Sequence, residues 1–138
     1  MQEQVAFDAL RSFTALAREI AGQPDTAAAG ARVVELAVKT IGCQAAGIAQ
    51  LRGRKLVFVA GTDPKLFTAV AAIAEETDES ISVQACRLRT PVICHDLEQE
   101  QRWPRASPLG VQRTPIRSVF AVPLQLDQQD LGVLTCYS

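Results

Sequence analysis

Hydrophobic and polar positions alternate most clearly in the last part of the chain, residues 117–138. Two apolar segments rich in β-branched residues flank a polar tip, Asp127 to Asp130, which predicts an antiparallel hairpin. Alternation puts Ile116, Ser118, Phe120, Val122, Leu124 and Leu126 on one face and Arg117, Val119, Ala121, Pro123 and Gln125 on the other. Pro123 has no N–H to give to a ladder, so it marks a bulge or a one-sided lapse in pairing.

Upstream the period is helical. Ala6, Leu10, Phe13, Ala17 and Ile20 recur at spacings of four and three, predicting an amphipathic helix over 4–22, with Gly22 and Pro24 as its stop. A second helix starts at Asp25 or Thr26 and runs to about Ile41, with Ala29, Val33, Leu36, Ala37 and Ile41 inward and Gly42 ending it. Residues 43–51 and 55–60 then read as strands around the basic tip Arg52-Gly53-Arg54. Gly61-Thr62-Asp63-Pro64 breaks the second strand and caps a third helix over about 64–76. Residues 77–90 are expected to form a loop with one or two helical turns, 91–95 a short strand, and 96–115 a Pro-broken loop with a short helix.

This order defines an α+β fold: a central antiparallel sheet of five or six strands, the N-terminal helices on one face, and the third helix with the 77–115 segment over the other. At 138 residues the chain makes one domain, with the two helices 4–22 and 25–41 ahead of an α/β core at 43–138.

Composition removes several classes of function. A formal net charge of −1 and an aromatic share of 5% give no basic or base-stacking surface for nucleic acid. No stretch is long and apolar enough for a membrane span, and the polar N-terminus is not signal-like. Cys43, Cys86, Cys94 and Cys136 are widely spaced without a C-x-x-C pair, which suits reduced thiols in a cytoplasmic protein better than a metal site or a disulfide framework. With one histidine and acidic residues in solvent-like stretches, no triad, metal cluster or phosphate loop is visible, so neither an enzyme nor a cofactor is expected.

The stretches Val92-Ile93-Cys94-His95-Asp96-Leu97, Arg102-Trp103-Pro104 and the closing Arg117-to-Ser138 hairpin resemble a GAF domain across nearly the whole chain. The wording is similar to the sensor domain of bacterial GAF-ANTAR type transcription regulators, where a GAF domain precedes an RNA-binding ANTAR domain. These stretches are framework, so they speak for fold more than for function. The resemblance implies a regulatory sensor that takes a small molecule in a sheet–helix cavity and signals as a homodimer to an attached output domain, with a further helix and that output domain expected beyond Ser138. A ligand-free dimerisation scaffold and a GAF-type methionine sulfoxide reductase are the alternatives.

On that arrangement Phe58, Phe67, Val70, Ile81, Val83, His95, Trp103 and Phe120 are the candidate pocket walls, with Arg117 and Ser118 as polar partners. Arg117 has two readings: a contact for an anionic ligand, or an ion pair with a nearby carboxylate. The stripe Ala6, Leu10, Phe13, Ala17 and Ile20 is the candidate dimer seam, although it spans barely two heptads. Cys94-His95 is similar to the Cys-His pair of bilin-binding relatives, but it sits in a strand and not in a helical context. The family's sulfoxide reductases carry a cysteine where this chain has Ser82, and its cyclic-nucleotide binders carry an Asn-Lys-x-Phe motif absent here.

Overall fold

The computed structural model describes residues 26–53, 55–126 and 129–138. Their elements follow in the order α1 (Thr26–Ile41), β1 (Ala45–Arg52), β2 (Lys55–Gly61), α2 (Pro64–Thr77), α3 (Ile81–Leu88), β3 (Val92–Cys94), α4 (Ala106–Arg113), β4 (Val119–Leu126) and β5 (Gln129–Tyr137). The predicted helix 4–22 and its dimer seam lie outside the described residues.

Local chemistry sets the boundaries. Gly42, at φ +76°, takes the left-handed conformation that lets the chain leave α1. Asp63 caps α2 by accepting the Leu66 N–H at 3.2 Å, with Pro64 in the first turn. Ser80 precedes α3, and Asp78 and Arg89 take left-handed conformations where α2 and α3 end. No helix among the described residues is long and apolar enough to cross a membrane.

The five strands form one antiparallel sheet in the order β2-β1-β5-β4-β3. Its strands have clean parity: Ala46, Ile48, Leu134 and Cys136 belong to one apolar cluster, and Ala45, Ala49, Val133 and Tyr137 to the other. The first cluster packs under α1 through Val33, Val34 and Ala37; the second lies under α2, α3 and α4. Leu36, expected on the inner face of α1, is instead 43% exposed, and Val34 takes the inward place.

Two irregularities correct the hairpin drawn from sequence. The strand β4 ends at Leu126 as expected, but β5 begins at Gln129, inside the expected tip, and the register shifts between Leu124 and Gln125, one residue past Pro123. Gly132 faces this shift at φ +144°, where a Cβ would strike the Ala49 carbonyl oxygen of β1. At the other end the Arg117 and Ser118 N–H groups both donate to the Ser138 carbonyl, at 2.7 and 2.9 Å, as in a β-bulge. Parity therefore does not carry through from Ile116 to Phe120. Ile116 belongs to the cluster under α2–α4, Phe120 to the one under α1.

Candidate functional site

The sheet face under α2–α4 has two halves. At the β1–β2 end, Gly47 and Gly61 face each other across the ladder. Their missing side chains leave a hollow that the Phe67 ring fills from α2: a Cβ on Gly61 would collide with that ring, and one on Gly47 would stand 3.0 Å from it. Phe58 stacks on Phe67 with centroids 4.7 Å apart and planes 17° from parallel. A groove of about 470 Å³ runs along the β2 edge past Phe58, Pro64 and Phe67, but between sheet and α2 this half is filled.

The β4–β5 half is not. A cavity of about 70 Å³ lies between Val119 and Tyr137 of the sheet and Ala106, Ser107 and Gly110 of α4. Val70 and Ile73 of α2, Ile81 and Ser82 of α3, and Leu97 and Trp103 of the preceding loop complete its apolar sides. A second hollow of about 340 Å³, walled by Val83, Arg87 and Arg102 among others, shares Glu79, Ser80 and Trp103 with the first.

Charged side chains brace these walls from outside. Glu79 Oε2 accepts the Arg105 and Ala106 N–H groups, both at 2.9 Å, so a carboxylate sits at the N-terminus of α4 where the helix dipole favours it. At the other end of α4, Arg113 forks onto Glu76 at 2.8 and 3.2 Å; that bond, and the charge of Arg113, hold the Glu76 carboxyl below its ordinary value. Arg102 grips Glu100 at 2.7 and 2.8 Å, donates to the Ile93 carbonyl at 2.6 Å, and lies 4.5 Å over the Trp103 ring. The bond from Arg102 lowers Glu100 to about 2. Burial, and Glu100 beside it, raise the Cys94 thiol to about 11.

Around the cavity the polar side chains are few. The Thr114 hydroxyl donates to the Gly110 carbonyl at 2.6 Å and accepts the Ile116 N–H at 3.2 Å. The Ser82 and Thr135 hydroxyls bond each other at 2.8 Å, both fully within the protein. The Tyr137 hydroxyl is buried and has no hydrogen-bond partner. Burial is the main force raising its pKa, which the nearby Ser82 and Thr135 hydroxyls oppose, but they lie beyond hydrogen-bonding geometry to it and hold each other instead.

The structure sorts the expected pocket residues. Val70, Ile81 and Trp103 stand on the cavity wall, and Val83 on the adjoining hollow. Phe58 and Phe67 fill the closed half and do not line the cavity. Phe120 packs on the α1 side, because the bulge at 117–118 reverses the parity from which it was placed. His95 is exposed just beyond β3. Arg117 takes the ion-pair reading: it bonds Glu98 at 3.1 Å and the Thr114 and Ile116 carbonyls at 3.0 and 2.7 Å. Ser118 pairs through its backbone with Ser138 and is absent from the wall.

Residues that the sequence reading passed over carry the site: Tyr137, Ser82 and Glu79 above all. Val119, Ala121, Val133 and Tyr137 share one strand face, and small residues there leave room for something above the sheet; that was the available signal. All four cysteines are free thiols. Cys43 and Cys136 interact with each other on the α1 side, and this bond, with burial, pushes the Cys136 thiol up. Among the described residues no group of His, Cys, Asp or Glu is placed to hold a metal ion.

A five-stranded antiparallel sheet in 2-1-5-4-3 order, with a small cavity between it and short helices, is the architecture of a sensory module. The sequence profile of the GAF domain matches residues 23–138, and the chain belongs to the GAF domain family. GAF domains are in general regulatory sensor domains. Solved structures agree on the fold. The GAF domain of A. aeolicus nlh2 in an inactive state superposes with a TM-score of 0.64 at 14% identity, over 97% of this chain and 81% of that one. A free methionine-R-sulfoxide reductase from Neisseria meningitidis, in complex with its substrate, gives 0.62 at 20%, over 91% and 70%. The GAF domain of a phosphoenolpyruvate-protein phosphotransferase from Coxiella burnetii gives 0.62 at 14%, over 100% and 80%. A search of curated proteins found no match.

Proposed function

We propose that this domain is a non-catalytic sensor that binds a small molecule in the cavity under α4 and signals, as a cytoplasmic homodimer, to an attached output domain that regulates transcription. The observation that carries the reading is the cavity itself, apolar on nearly every side. A ligand-free scaffold would have closed this half of the sheet as it closed the other. No cysteine lines the cavity among the described residues, which speaks against the sulfoxide reductase reading.

Signalling follows from how α4 is held. Binding shifts an equilibrium only through unequal affinity for two arrangements. The short helix α4 is held at its two ends by polar clamps, Glu79 from the turn after α2 and Arg113 onto Glu76 of α2, and it is the wall we take to move. Native mass spectrometry of the protein purified from its own host tests the reading. A bound adduct is expected on the wild type and is expected to be lost in Val70→Phe, which fills the cavity; an adduct of equal occupancy on both would place the ligand elsewhere, and bare protein in both would count against a sensor.

A further inference from the structure

We propose that a hollow at the hairpin end of the sheet, walled by Arg52, Arg87 and Arg89, is a second binding site, separate from the cavity under α4, and that it holds a small molecule by a phosphate or diphosphate group. Three observations converge on it.

Convergence of charge comes first. The hollow, of about 550 Å³, lies between the end of β1, the C-terminal turn of α3 and Gly132 of β5. Arg52 comes from the strand, Arg87 and Arg89 from the helix end, and none of the described residues lining the hollow is acidic. Lys55 stands opposite Arg52 across the β1–β2 ladder and adds a further cation beside it. Cations gathered around one concavity repel each other and raise the local potential for an anion.

The second observation is how these arginines are engaged. Elsewhere Arg102, Arg113 and Arg117 hold Glu100, Glu76 and Glu98 at 2.7, 2.8 and 3.1 Å. Arg52 instead donates to the Gln50 amide oxygen at 2.9 Å, a bond that leaves its charge uncompensated. Arg87 reaches Asp78 only at 4.0 Å, and both side chains are about half exposed. Their forked donors are therefore open to an oxyanion.

The third observation is the backbone of Arg89. It ends α3 at φ 54°, in the left-handed region where glycine is the relaxed choice. Its N–H caps the Ala85 carbonyl, which a glycine would do equally well; an arginine there adds a guanidinium to the wall. The helix dipole accounts for cations at the end of α3 but not for Arg52 on β1. A carboxylate presents two oxygens in one plane, whereas a phosphate presents three around a tetrahedron, which suits forks arriving from two elements.

NMR titration of the intact protein with inorganic pyrophosphate, and with acetate at matched ionic strength, tests this. Pyrophosphate is expected to shift the amide resonances of Leu51, Cys86 and Gly132 to saturation, and acetate to leave them unmoved. Arg52→Gln and Arg87→Gln, both at exposed positions, should fold and each weaken pyrophosphate binding about threefold, and together about tenfold. Lys39→Gln, which removes an exposed cation from α1, should leave the affinity unchanged. Equal affinity in the double variant, shifts that never saturate, or no shift at all would overturn the site. Acetate moving the same resonances as far as pyrophosphate would overturn the phosphate class. None of these outcomes bears on the cavity under α4, which Val70→Phe tests by itself.

Discussion

Two halves of one sheet face, under the same helical layer, are finished in opposite ways. At the β1–β2 end, facing glycines admit the Phe67 ring and Phe58 stacks on it, so side chains fill the space between sheet and α2 and leave only a groove at the β2 edge. At the β4–β5 end the roof is α4, whose cavity-facing residues Ala106, Ser107 and Gly110 are small, and a cavity of about 70 Å³ remains over Val119 and Tyr137. Close packing is the rule in protein interiors, and the first half obeys it. The second departs from it and adds an unpartnered buried hydroxyl. Two departures from good packing at one place, with the other half as an internal control, are what a binding site looks like from the side of stability.

The comparison can be broken by mutation. Phe67→Ala should have the largest effect, a loss of about 3–5 kcal/mol in urea unfolding, because the aromatic plug has no neighbour able to replace it. A loss under 1 kcal/mol would mean the closed half is loosely filled too.

On the open half, Ser82→Ala should cost about 1–3 kcal/mol by leaving the buried Thr135 hydroxyl alone, measured by the same unfolding experiment. Ser82→Ala and Tyr137→Phe thus remove hydroxyls from one wall with opposite consequences, since only the first breaks a bond. Equal destabilisation by the two would erase the distinction between a paired and an unpaired group.

The smallest effect concerns the brace behind Trp103. Glu100, whose side chain is only 9% exposed, titrates at about 2 when folded and near the ordinary 4.5 when unfolded. Its folded value is the depressed one. Its contribution is therefore fully present above about pH 4.5 and is lost as the pH falls from there toward 2. Melting temperatures across this window should fall less steeply for Glu100→Gln than for the wild type; parallel curves would show that the Arg102 bond does not stabilise the wall.

Much of the fold was legible because its signals are local. The Gly61-Thr62-Asp63-Pro64 stop, the cap of α2 at Asp63, and the two hairpins all follow from residues close in sequence. The site was less legible, and the reason lies in two residues. Arg117 and Ser118 share one carbonyl, so a one-residue bulge carries Phe120 to the α1 side and leaves Val119 over the cavity. Alternation counted from Ile116 cannot register that step. Aromatic residues also drew attention as pocket walls, although Phe58 and Phe67 are the material that closes the other half. Tyr137 became visible only once the strands were paired, with Val119 opposite it and Ser82 reaching its neighbour Thr135.

Xenon under pressure in a crystal of the wild-type protein tests the contrast between the halves most directly, since apolar cavities of this kind take up the gas. The account predicts one xenon site, between Val119, Trp103 and Gly110, and none beneath Phe67. Xenon beside Phe67, or no xenon under α4, would contradict it.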